Sequence, residues 1–145
     1  MDVTAVLETS AADTVVRPWV ADLGRYCEWL SILPTAAADP DDDQVWNVEL
    51  RAKVGPLARS KRLRMVRVVD DPDHIRFERH EVDGRTHSPW VLDALLVPEG
   101  GGSRLTMRLH YGGSFGGGLV ERLLAAEIEA SKERLRALVE GPSAP

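Results

Sequence analysis

With 145 residues, 43% of them apolar and 28% charged, the chain has the length and composition of one ordinary globular domain, residues 1–145. Its net charge of −5 is spread along the whole length, which argues against nucleic acid and anionic membrane surfaces as general partners. The lone cysteine, Cys27, excludes an intrachain disulfide and fits a reducing compartment.

The start, Met1-Asp2-Val3-Thr4, shows no basic segment leading into an apolar run, and no apolar stretch approaches the roughly 20 residues needed to cross a bilayer. The expected location is cytoplasmic. Residues 3–9 read as a short strand. Ser10 with Asp13 predicts a capping box, and Val15, Val16, Trp19, Val20 and Leu23 then recur at helical spacing. Pro18 predicts a kink or a restart, because its ring clashes with the preceding turn. Gly24 is expected to end this piece, and Tyr26, Trp29, Leu30 and Leu33 form a second short apolar turn.

Residues 39–43 read as a solvated turn. Trp46, Val48, Leu50, Ala52 and Val54 alternate with polar residues, the period-two pattern of a half-wet strand. After Gly55-Pro56, residues 60–69 form another strand of open phase, with Leu63 and Met65 pointing one way and Val66 and Val68 the other. A turn at residues 70–73 leads to alternation of Ile75, Phe77 and Arg79, and Asp83-Gly84 predicts a hairpin. Residues 87–97 and 103–111 are two further strands joined by residues 99–102, with Leu105, Met107, Leu109 and Tyr111 on one face. Such a succession predicts an antiparallel meander.

A glycine-rich segment, residues 112–118, precedes a helix expected to run to about Val139. At 100° per residue, Leu119, Val120, Leu123, Leu124, Ile128, Leu135, Leu138 and Val139 span an arc of about 200°. So wide an arc predicts burial against a concave surface. Residues 141–145 read as a flexible tail.

This element order, together with Tyr26-Cys27-Glu28-Trp29-Leu30, the Trp46 strand and the glycine-rich lead into the last helix, resembles the START-like superfamily (SRPBCC), in particular its polyketide cyclase/dehydrase and lipid-transport branch. The likeness spans about residues 2–140. It implies an α+β helix-grip fold, a curved antiparallel sheet wrapped around a long C-terminal helix with two short helices after the first strand. It also implies a deep apolar cavity between sheet and helix, binding lipids, polyketides or similar molecules.

Gly112-Gly113-Ser114-Phe115-Gly116 matches a nucleophile-elbow pattern literally, but no histidine follows Ser114 and the expected sheet is antiparallel, so a serine hydrolase is excluded. A flexible loop that lets the final helix enter, and that could gate a cavity mouth, is the better reading of these glycines. Glu127 falls inside the apolar arc, where a carboxylate is costly unless paired or protonated, which makes it the candidate catalytic residue or ligand-orienting acceptor. Arg79, and Arg67 if Leu63 sets the phase, should point inward and could pair with Glu127 or clamp an acidic ligand. Arg134 also lies in the arc, near the helix end. The expected ligand-binding set is Trp29, Trp46, Leu50, Met65, Phe77 and Arg79, with Trp90, Met107, Leu123 and Glu127. His74, His80, His87 and His110 show no metal-ligand spacing, and Cys27 has no basic neighbour, so neither metal nor cofactor is expected.

The leading expectation is a carrier or binder of a small hydrophobic ligand in a cavity of about 300–1,000 Å³, monomeric or homodimeric. A cyclase or dehydratase using Glu127 with an inward arginine, and an interaction module with a filled cavity, are the alternatives. Few lysines (Lys53, Lys61 and Lys132) against many arginines point to a GC-rich bacterial source.

Overall fold

The computed structural model describes residues 2–54, 56–112 and 117–141; for residues 54, 57, 117–121 and 123 it describes the backbone alone. In chain order the elements are β1 (Asp2–Thr9), α1 (Asp13–Ala21), α2 (Leu23–Tyr26), β2 (Thr35–Asp39), β3 (Asp42–Val54), β4 (Leu57–Asp71), β5 (His74–Arg79), β6 (Trp90–Glu99), β7 (Gly102–Tyr111) and α3 (Gly117–Glu140). The strands make one seven-stranded antiparallel sheet in the order β1-β7-β6-β5-β4-β3-β2. From β2 to β7 each strand pairs with its neighbour in sequence, and β1 is carried across to the free side of β7.

One face of the sheet is apolar because the alternations stay in phase across it. Leu7 pairs with Leu105 and Leu105 with Leu96; Ala5 pairs with Met107 and Met107 with Ala94; Leu109 pairs with Leu92 and Leu92 with Phe77. Leu63 and Met65 are buried whereas Val68 is exposed, which settles the phase of β4. Val66 and Val68 fall on the opposite face by plain alternation, and a register shift lies between Arg67 and Val69. The β6–β7 turn needs its glycines: Gly100 and Gly101 have φ of 57° and 86°, and a Cβ on Gly102 would lie 1.9 Å from the Thr9 carbonyl oxygen.

Helix α3 buries Leu124, Ser131, Leu135 and Val139 over this concave face. Its C-terminal half is tied to β1, where Thr9 Oγ1 donates to Glu140 Oε2 at 2.7 Å and Arg136 Nη2 donates to the Glu8 carbonyl. Helices α1 and α2 supply Val16, Val20, Leu23 and Tyr26 to the same core.

Several local expectations are corrected. No capping box forms at Ser10 and Asp13; Ala12 is the N-cap, without a side-chain bond, and Thr9 Oγ1 instead accepts from the Ala11 amide. Helix α1 runs through Pro18 and ends at Ala21, ahead of Gly24. Residues 35–39, of which the sequence assigns only 39, as the start of a turn, form the edge strand β2; three alanines give it too weak an alternation to read. A ten-residue stretch, 80–89, rather than a tight turn at Asp83-Gly84, joins β5 to β6. Leu138, expected inside the apolar arc of α3, is 37% exposed. The Gly113–Gly116 segment and the tail after Gly141, expected as a gate and a mobile end, lie outside the described residues.

Candidate functional site

Between α3 and the concave face lies an apolar cavity of about 110 Å³. Its floor comes from β7 and its neighbours (Val3, Ala5, Leu92, Met107, Leu109), its walls from β3 and β4 (Val48, Leu50, Leu63, Met65), and its roof from Leu124, Ile128 and Leu135 of α3. Tyr26, Trp29, Leu30 and Ile32 close one end, and Trp90 lies at the other side of the floor. Space remains at the centre because Met107 is flanked in register by two alanines, Ala5 and Ala94. The volume falls below the expected range.

Of the residues expected to bind ligand, Trp29, Leu50, Met65, Trp90 and Met107 line this cavity. Trp46 and Phe77 share the concave face but pack edge-on against each other at 5.5 Å, away from the lining. The side chain of Leu123 lies outside the described residues.

Glu127 does not occupy the apolar arc. Its side chain is 48% exposed, it accepts a hydrogen bond from Ser31 Oγ, and Arg134 Nη2 stands 3.7 Å away. Arg134 itself is exposed and donates to the Trp29 carbonyl at 3.0 Å, which pins α3 to the end of the α2 turn. Glu127 and Ser31 line a half-open groove of about 330 Å³ with Arg51 and Lys53, and the groove shares Ile32 and Leu124 with the apolar cavity. The difference from the sequence expectation is rotational: Leu119, Leu123 and Leu138 draw the predicted arc to one side, whereas the described contacts centre it on Leu124, Ser131 and Leu135.

Both inward arginines are partly buried, as their phase predicts, yet neither meets Glu127. Arg67 donates to the Ala21 carbonyl at 2.7 Å and to Gln44 Oε1 at 2.9 Å, so it caps the C-terminal end of α1 and lies over the Trp46 ring. Arg79 donates to Glu81 Oε1 at 3.1 Å, to the Ser88 carbonyl and to His87 Nδ1, holding the 80–89 loop to the sheet. Because Arg79 can only donate, His87 Nδ1 accepts and its Nε2–H donates to Asp83 at 2.8 Å. Glu81, Asp83 and His87 thus come within 4.8 Å of one another, but the Arg79 guanidinium already supplies the positive charge this group faces.

Burial pushes the Cys27 thiol up, which disfavours the thiolate a nucleophile needs. Burial likewise pushes the Tyr26 hydroxyl up, and it donates to the Val20 carbonyl at 2.8 Å, so this lining hydroxyl is already committed. Periodicity missed two lysines. Lys132 lines the cavity with its aliphatic stem while its ammonium reaches Glu129, and Lys61 stands over the Trp90 ring at 5.9 Å. The inward run Leu63, Met65, extended two residues back, would have found Lys61.

A curved antiparallel sheet closed by a long C-terminal helix, with two short helices after β1, is the START-like helix-grip fold. More particularly, the chain belongs to the polyketide cyclase / dehydrase and lipid transport family, whose model matches residues 1–140. Solved structures agree on the fold. TTHA0849 from Thermus thermophilus superposes with a TM-score of 0.72 at 18% identity, over 99% of this chain and 100% of that one. A START superfamily protein from Mycobacterium smegmatis gives 0.67 at 17% identity, over 96% and 97%. The di-domain ARO/CYC StfQ of the steffimycin biosynthetic pathway gives 0.68 at 14% identity, over 96% of this chain and 50% of that one. No protein of curated description matches the sequence significantly. Among the described residues, no helix is long and apolar enough to cross a membrane.

Proposed function

We propose that this protein binds and carries a small hydrophobic molecule in the cavity between the sheet and α3, in the cytoplasm. The observation that carries the reading is the lining: among the described residues it holds aliphatic and aromatic side chains, the committed Tyr26 hydroxyl and the stem of Lys132, with no carboxylate or imidazole. Such a surface rewards apolar burial, at about 25 cal/mol per Å², and the described lining presents no carboxylate or imidazole to a bound chain. A ligand larger than the present volume would displace Leu30, Met107 and Ile128, which are all only partly buried. Native mass spectrometry of freshly purified protein, followed by solvent extraction, tests this. A retained lipophilic mass near one per chain is expected; a ligand-free protein unmoved in melting temperature by lipids and aromatic polyketides would favour a filled core and an interaction role.

One observation favours a second reading, a cyclase or dehydratase. Ser31, Glu127 and Arg134 form a polar cluster on a groove that meets the cavity at Ile32 and Leu124, so a chain emerging from the cavity would pass a carboxylate. In that case Glu127→Gln abolishes turnover of a polyketide-like chain while its binding persists.

A further inference from the structure

The inward row of β4 does not stay apolar to its end. Going back from Met65 and Leu63 along the same face, the next position is Lys61, paired across to Leu50, which lines the cavity. The Lys61 ammonium lies 5.9 Å from the centre of the Trp90 ring, another lining residue, so it stands on the cavity rim. Among the described residues its charged neighbour is Arg79, a second cation, and no carboxylate reaches it. Arg79 is spoken for by Glu81, the Ser88 carbonyl and His87. Burial first, and then the charge of Arg79, holds the Lys61 ammonium below its ordinary range, the behaviour of a cation whose counter-charge is not supplied by the protein.

We propose that the cavity takes amphiphiles carrying a single carboxylate, with Lys61 holding that head at the rim while the apolar body lies between Trp90, Met65 and α3. This rests on the carrier reading above and names its ligand class. A single free ammonium matches one negative charge. A dianionic head would leave surplus negative charge against the face of Trp90, whose π-electrons repel anions.

The test compares decanoate with 1-decanol, by calorimetry, on wild type and on Lys61→Met, which keeps the stem against Trp90 and removes the charge. The acid-over-alcohol affinity ratio should fall about tenfold in the variant, the worth of one charge-assisted hydrogen bond, with decanol affinity unchanged. Lys61→Gln carries the same comparison if the Met variant does not fold. In wild type, the Lys61 Nζ resonance should move with decanoate and stay with decanol. An unchanged ratio, or a still resonance while decanoate binds, overturns the proposal and leaves the carrier reading standing. Failure of wild type to bind either ligand overturns the carrier reading and the proposal with it.

Discussion

At the end of the concave face closed by α1 and α2, Phe77 meets Trp46 and Tyr26 edge-on, and Arg67 ties β4 to the last carbonyl of α1. Toward the β3–β4 turn the same row of β4 reaches instead Lys61, a cation that no described carboxylate pairs. The closed end gives its buried cation protein partners and excludes space. The open end keeps its charge for something that is not part of the chain. A rigid wall beside an under-satisfied rim is the arrangement that lets a binding protein hold its shape without a ligand and still reward one.

The largest effect should come from breaking the closed end. Phe77 is fully buried, and Phe77→Ala should cost about 3–5 kcal/mol in urea denaturation, because the rings around it cannot collapse into the gap. Arg67→Met comes next, at about 1–3 kcal/mol, since the Ala21 carbonyl and Gln44 each lose a partly buried donor.

The convex face provides a control outside both ends. There Asp93 accepts from Arg76 at 2.7 Å and faces His74 at 2.6 Å; burial raises its carboxyl, but these two partners outweigh burial and hold it below the ordinary carboxylate range. A depressed folded pKa gives stability that is fully present above the unfolded value of about 3.9 and is lost as pH falls through the folded value. Asp93→Asn should therefore cost about 1 kcal/mol at pH 7, and the gap from wild type should close on acidification below about pH 3. Urea curves at several pH values read this directly, and a gap that widens in acid would contradict it. Glu127→Gln should matter least to stability, within about 0.5 kcal/mol, as its ion pair with Arg134 is solvent-screened. A loss above about 1 kcal/mol would show that the Ser31–Glu127 contact is a fastening between α3 and the core.

Much of the closed end was legible because apolar alternation is a strong signal: Leu63, Met65, Phe77 and Met107 share a face in the structure as they do in the sequence. Glu127 was misplaced for a physical reason. On a helix a rotation of one residue's angle moves a side chain from core to rim, and the long arc of leucines did not fix that rotation. Arg79 was read inward correctly but its partners were not, because Glu81 and His87 reach it through a loop whose path no periodicity encodes. Lys61 went unnoticed since a lysine in a strand reads as the wet face until its register with Leu50 is known. Strand β2, built on Ala36, Ala37 and Ala38, carried almost no pattern at all.

The central claim is that the space around Met107 is where a hydrophobic ligand lies. Met107→Trp tests it most directly, because Ala5 and Ala94 on either side leave room for the indole to fill the cavity without forcing the sheet apart. Titrating 1-decanol into wild type and variant by calorimetry, with melting curves to verify folding, should show binding near one per chain in wild type and at least a tenfold loss in the folded variant, roughly 1.4 kcal/mol or more. Equal affinity in the two would place the ligand elsewhere and contradict the account.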